Sequence, residues 1–262
     1  MTRTSEIFLV AVLGVATLVG GLAHSQPFPT KTIRLIIPFG PGTGTDTIGR
    51  VLAAKLTDEL GQSVVVDNRP GASGAIGAEL ATRATPDGYT LVLSSNGTLA
   101  AYPALTSTAN YRADVDFTPV ALFTRTSMLL ITANLPGNPK SVADLVNRMK
   151  TSKVTFASNG AGTMGHLGTE LFLRKAGLSG THIPYKGSGQ SYTDILRGEV
   201  LFMTDTPAAA LPLVRAGRLR PLAVTGSARL QSLPDVPTFD ESGIHDLKQF
   251  YTWWGVFGPK NM

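Results

Sequence analysis

The chain has 262 residues, no cysteine and a formal net charge of +5. The lack of cysteine excludes disulfides, thiolate catalysis and cysteine-bound metals, so packing alone must hold the fold. The positive surplus is spread thinly, without a run of like charges or interleaved aromatic residues, which argues against a nucleic-acid face and leaves a weak, salt-sensitive pull on anions.

Residues 1–25 read as a cleavable export leader. Arg3 gives a positive start, partly offset by Glu6, and residues 7–19 are almost wholly apolar. Ala23-His24-Ser25 puts small residues at the positions a signal peptidase reads, so cleavage is expected before Gln26. The apolar run is short for a bilayer span, which needs ~20 residues. A soluble mature protein in the periplasm is expected.

From residue 32 strands and helices alternate. Residues 32–37 are β-branched and apolar, as in a buried parallel strand. A glycine-rich loop leads into a helix over 47–60, with Ile48, Val51, Leu52, Leu56 and Leu60 as its apolar face and Gly61 as its stop. A strand at 64–66, a turn-rich loop at 68–74, a helix at 75–84, a Pro86-Asp87-Gly88 turn and a strand at 89–93 follow. This β-α-β-α-β order implies right-handed crossovers and a parallel sheet.

Residues 96–116 read as loop. Residues 120–132 give two short strands with a break at 125–127, and Ser141 with Asp144 three residues on opens a helix. Strands at 154–157, 181–183, 200–203 and 222–224 then alternate with helices at 166–175, 191–197 and 208–216. A strand-like aromatic stretch covers 249–257. The expected fold class is α/β with two domains: residues 26–116 with 226–262, and residues 117–225. Glycine-rich loops at strand ends would face a cleft between them, the usual ligand position in open α/β sheets.

Four loops could carry chemistry. Residues 39–46, Phe-Gly-Pro-Gly-Thr-Gly-Thr-Asp, join a strand to a helix start, where free N–H groups and the helix dipole can hold an anion. The spacing fits neither a dinucleotide fingerprint nor a Walker loop, and a tight turn with Asp46 capping the helix is the competing reading. Residues 158–166, Ser-Asn-Gly-Ala-Gly-Thr-Met-Gly-His, repeat the pattern, with His166 expected to cap or pack rather than catalyse. Asp205 could accept a ligand hydrogen bond or anchor its own loop. Lys186 could add charge beside the cleft or stay a solvated surface lysine.

A catalytic constellation is missing. The histidines at 24, 166, 182 and 245 show no metal-ligand spacing, no Gly-x-Ser-x-Gly elbow occurs, and the acids are dispersed. No enzyme activity, cofactor or metal is expected.

Read together, several motifs occur in order: P-F-x-x-G-x-x-x-D at 38–46, N-R-P-G-A at 68–72, I-G-A-E at 76–79, P-D-G-Y-T-L at 86–91 and S-N-G-T at 95–98. G-H-L-G-T-E-L-F at 165–172, H-I-P-Y-K-G at 182–187, A-G-R-L-R-P-L-A-V-T at 216–225 and L-P-D-V-P-T at 233–238 complete the set. From Gln26 to Pro259 the chain resembles the solute-binding proteins of tripartite tricarboxylate transporters, the Bug family. The resemblance implies a type 2 periplasmic-binding-protein fold that clamps a small carboxylate (a di- or tricarboxylate, acidic amino acid or aromatic acid) between its domains. It implies a monomer that delivers its ligand to membrane permease subunits.

Carried over by motif, the ligand-binding residues are Phe39, Gly42, Thr43, Asp46, Ser95, Asn96, Ser158, Gly162, Thr163, His166 and Asp205. Two departures stand out. Thr43 replaces the second of a paired glycine, which is expected to narrow the backbone's options. The family normally continues well past the equivalent of Pro259, so a chain ending at Met262 is expected to expose apolar surface. The rival readings are a component that presents ligand to a sensor kinase, a non-functional truncated copy, and an enzyme acting on an organic acid.

Overall fold

The computed structural model describes residues 28–262, so the expected leader over 1–25 lies outside the described residues. Lys31–Met262 form one unit built on two five-stranded mixed sheets.

The first sheet has the order β2-β1-β3-β10-β4. β1 (Ile33–Ile37) pairs in parallel with β2 (Val64–Asn68) and β3 (Thr90–Ser95), as the β-α-β-α-β reading requires. The connecting helices are α1 (Gly44–Leu60) and α2 (Ala75–Thr82), and a single-turn helix, α3 (Tyr102–Leu105), follows β3. Strand side chains alternate between faces. Leu35, Ile37 and Leu93 pack in one core with Leu52, while Ile36 and Val92 pack in the other with Ala78. On α1 the expected apolar face is only partly used: Leu52 is buried, but Val51 and Leu60 are exposed, and the small residues Gly49 and Ala53 bring the helix close to the sheet.

β4 (Phe117–Ser127) is one long strand, and β10 (Tyr251–Pro259) lies antiparallel between it and β3. The expected break at 125–127 falls instead at Met128. The reason is tertiary, because β10 pairs with β4 along its whole length from Phe117 to Ser127.

The second sheet has the order β7-β6-β8-β5-β9. Its strands are β5 (Leu129–Ala133), β6 (Thr155–Ser158), β7 (Thr181–Pro184), β8 (Phe202–Asp205) and β9 (Leu219–Val224). Helices α4 (Val142–Thr151), α5 (Met164–Ala176), α6 (Ser188–Arg197) and α7 (Pro207–Arg215) cover its faces. Phe156, Phe172 and Phe202 fill one side with Leu145, and Ile131, Met203 and Ile195 fill the other with Ala210.

Sheet membership divides the chain differently from the expected boundaries. β4 belongs to the first sheet, so the second lobe begins at Met128 rather than at 117. Residues 226–250 also stay with the second lobe, because Phe239 and Leu247 are buried in its core and Val224 bridges to Thr238. The chain returns to the first sheet only with β10. Val120, Leu122 and Phe123 are exposed on the edge strand β4, and Tyr251 is exposed on the adjoining β10.

Candidate functional site

The two glycine-rich loops fold into the same device. Thr43 caps α1: its hydroxyl accepts from the Asp46 N–H at 3.3 Å and donates to the Gly40 carbonyl at 2.9 Å. Thr163 caps α5 likewise, accepting from the His166 N–H at 3.5 Å and donating to the Gly160 carbonyl at 2.8 Å. Before each cap stands a glycine in the left-handed region, Gly42 at φ 80° and Gly162 at φ 81°, where a β-carbon would be strained. The glycine N–H then donates to the side chain at the third helical position: Gly42 to Asp46 Oδ2 at 2.9 Å, Gly162 to His166 Nδ1 at 3.1 Å. These are reciprocal caps. Thr43 itself, at φ −71°, ψ 161°, sits in ordinary extended geometry, so its β-carbon brings no backbone strain.

The caps differ in charge. Asp46 also accepts from Arg50 at 3.1 Å and Asn68 at 2.9 Å. Burial works to raise its carboxyl, but these hydrogen bonds and the one from Gly42 outweigh it and hold the group below its ordinary value. His166 instead stacks on His182, ring centres 4.0 Å apart. Burial lowers the His166 imidazole, against a raising effect of Glu170, and burial with the neighbouring His166 brings His182 down to about 4. Both rings are therefore neutral near pH 7. His166 accepts through Nδ1, so its proton sits on Nε2.

α1 and α5 start on opposite lobes and aim at the same cavity, of about 50 Å³, lined by Thr43, Gly44 and Thr45 from one and Thr163, Met164 and Gly165 from the other. Each cap satisfies the third N–H of its helix, and the first two N–H groups have no acceptor within the helix. Both helix dipoles also point their positive ends there. Among the described residues no Lys, Arg or His lines this cavity. Its volume gives room for more than a single water. The cleft is shut: the Ser73 hydroxyl donates across it to the Ala161 carbonyl, and a β-carbon at Gly44 would come within 2.1 Å of Thr206 Oγ1.

Buried polar side chains fix the walls. The Trp254 indole N–H donates to Thr45 Oγ1 at 2.9 Å, which leaves that hydroxyl its own proton to donate. Asp205 accepts from the Thr206 N–H at 2.7 Å, from the Ser188 and Tyr192 hydroxyls at 2.8 Å each, and weakly from Asn159 at 3.4 Å. Burial pushes its carboxyl up, and these hydrogen bonds pull it down. With so many donors engaged, Asp205 acts as an anchor that orients Asn159.

Of the residues singled out in the sequence, Phe39, Thr43, Ser95, Thr163 and Asp205 line the cavity. Gly42, Asp46, Gly162 and His166 stand behind it as the caps. Ser158 hydrogen-bonds His182 at 2.7 Å and the Gly160 backbone. Asn96 ties the turn after β3 to β10 through the Tyr251 carbonyl, Thr252 and Trp253. Thr206, from the same loop as Asp205, also lines the cavity, and sequence reasoning missed Met128, Thr252 and Trp254.

Residues 48–262 match the model of the tripartite tricarboxylate transporter family receptor. The chain is 37% identical over 262 residues to protein BugT of Bordetella pertussis, covering 96% of this chain and 78% of BugT. Among solved structures, Rpa4515 of R. palustris with adipate is similar at TM-score 0.86 and 36% identity, over 89% of this chain and 78% of that one. MatC from Rhodopseudomonas palustris with bound malate is similar at TM-score 0.82 and 33% identity, over 89% of this chain and 80% of that one.

Proposed function

We propose, on the premise that this chain belongs to the tripartite tricarboxylate transporter receptor family, that it captures a small organic carboxylate between its lobes and hands it to the transporter's membrane permease. Members of this family are solute-binding proteins with a two-domain α/β fold, not enzymes. The periplasm is the compartment that fits such a receptor. A monomer suffices, because both helix starts come from one chain.

One observation carries the reading: two threonine-capped helix N-termini from opposite lobes meet at one small cavity. Main-chain N–H groups there can neutralise a carboxylate without a cationic side chain. They engage together only when the lobes close, which is how a hinged receptor couples binding to a shape its permease can recognise.

Isothermal titration of the purified protein with malate and with adipate tests this, with glucose as a control. We expect a carboxylate to bind and to raise the melting temperature, by about 2.7 kcal/mol of stabilisation at 100 times Kd. A panel of carboxylates that neither binds nor shifts melting would remove the proposal.

A further inference from the structure

The two lobes approach each other closely at several glycines. A β-carbon at Gly40 would lie 3.2 Å from the Lys186 carbonyl oxygen, one at Gly97 3.3 Å from the Met164 nitrogen, and one at Gly160 2.8 Å from Ser73 Oγ. The first two are approaches to main chain. The third is different, because the Ser73 hydroxyl occupies the space that Gly160 leaves open and donates to the Ala161 carbonyl. Among the described residues no other side-chain hydrogen bond spans the cleft.

Ser73 reaches across from an unusual piece of chain. Gly71, Ala72, Ser73 and Gly74 take φ values of 131°, 45°, 54° and 93° in succession. Left-handed geometry is free for glycine and costly for most other residues. Ser73 carries a side chain there all the same, and strain of this kind persists where the surroundings over-determine it, often at clamps and switches. Here they do. The Thr98 hydroxyl donates to the Ser73 carbonyl at 3.0 Å, the buried Tyr111 hydroxyl donates to the Thr98 carbonyl at 2.5 Å, and the Gly74 N–H donates to the Gly71 carbonyl at 2.9 Å. On the far side, Ala161 directly precedes the Gly162–Thr163 cap of α5, and the Gly160 N–H before it donates to the Ser158 hydroxyl at 3.1 Å. One hydroxyl thus joins a braced segment of the first lobe to the loop that opens α5.

We propose that Ser73 is a latch between the lobes: its hydroxyl holds the closed form and so sets how long the receptor keeps its carboxylate. This rests on the reading above, in which closure brings the two helix starts together around the ligand. Ser73 does not line the inner cavity. It is a positioning residue, acting through the loop it grips. A hydrogen bond between lobes contributes only while they are closed, so its loss shifts the balance of open and closed forms whether or not a ligand is present. That property separates a latch from a ligand contact.

The chain has no cysteine, so Lys55→Cys and Lys150→Cys, exposed positions on opposite lobes, take a fluorescent donor and acceptor selectively. Lobe separation is read by energy transfer without ligand, release of malate and of adipate by stopped flow, and folding by the urea midpoint. Each is measured in otherwise wild-type protein, in Ser73→Ala and in Ser73→Gly. Both substitutions remove the hydroxyl, and glycine also removes the left-handed strain, so an effect they share belongs to the hydroxyl. Both should raise the ratio of open to closed ligand-free protein and speed release, each about two- to tenfold, with urea midpoints close to wild type. If the ligand-free separation is unchanged, the latch is wrong, whatever happens to release or to the midpoint. If the separation changes but release does not, Ser73 does not set the residence time and the proposal is equally overturned. If neither acid binds, the receptor reading fails on its own, and the ligand-free separation alone judges whether Ser73 latches the lobes.

Discussion

The loops at 40–46 and 160–166 share one backbone and differ in what holds it. Both carry a capping threonine, a left-handed glycine and a reciprocal bond from that glycine to the third helical residue. In the first lobe the acceptor is a carboxylate tied to Arg50 and Asn68. In the second it is a neutral imidazole in an aromatic stack. The same local geometry can therefore be held with or without a fixed charge. The choice matters to an anion: Asp46 offsets part of the positive end of α1, whereas nothing charged in the second cap offsets α5. Their glycines also differ in what they approach. Gly44 abuts Thr206 of the opposite lobe, while Gly165 abuts the Thr204 carbonyl of its own, where a β-carbon would come within 2.4 Å.

That last difference makes the largest prediction. Gly165→Ala pushes against backbone inside one lobe and should destabilise by about 1–3 kcal/mol, seen as a lower urea midpoint. An unchanged midpoint would mean that α5 can slide and that the two loops are less alike than described. Gly44→Val should do the reverse. It collides across the cleft, so closure and carboxylate affinity should fall by about tenfold or more, worth ~1.4 kcal/mol, with little change in the urea midpoint. Loss of fold instead of binding would place Gly44 in the core of its lobe.

Acid should separate the caps. The folded His166 and His182 have lowered pKa values against an ordinary 6.5, so the unfolded chain binds more protons below that point. Their contribution is present above pH 6.5 and is lost as pH falls toward about 4, the His182 value. Asp46 is held below 3.8, so its contribution persists above that pH and is lost only under it. Between pH 6.5 and 4, hydrogen exchange at the Gly162 amide, corrected for intrinsic rate, should therefore speed up relative to Gly42. His166→Asp should make the second loop behave like the first; equal protection of both glycines across the window would break the contrast. The smallest effect is expected at Arg50, whose side chain is 55% exposed. Arg50→Ala should cost about 0.2–1 kcal/mol in denaturant titration, and less at high salt.

Much of this was legible in the sequence because it is local. The alternation of strands and helices and the parallel β1–β3 unit lie within short stretches whose periodicity can be read directly, whereas the helix starts expected at 47 and 166 stand at Gly44 and Met164, with Thr43 and Thr163 as the caps because their hydroxyls accept from the third helical N–H. Resemblance to a known family supplied the two-domain fold and the role of carboxylates. The motifs marked Asp46, Gly162 and His166 as ligand-binding; their hydrogen bonds hold the loops in shape, and a strand-end motif records that role as faithfully as a place facing the cleft.

The sequence by itself determined the charge balance, the missing cysteines, the order of elements and the two anion-ready helix starts, since each depends on neighbours in the chain. Only the tertiary structure decided that β10 inserts antiparallel between β3 and β4, that Trp254 holds Thr45 from 209 residues away, and that Met128 and Thr252 help to close the cavity. Such contacts join residues whose spacing along the chain carries no periodic signal. Their pairing is set by which apolar and polar surfaces remain to be covered once the two sheets have formed.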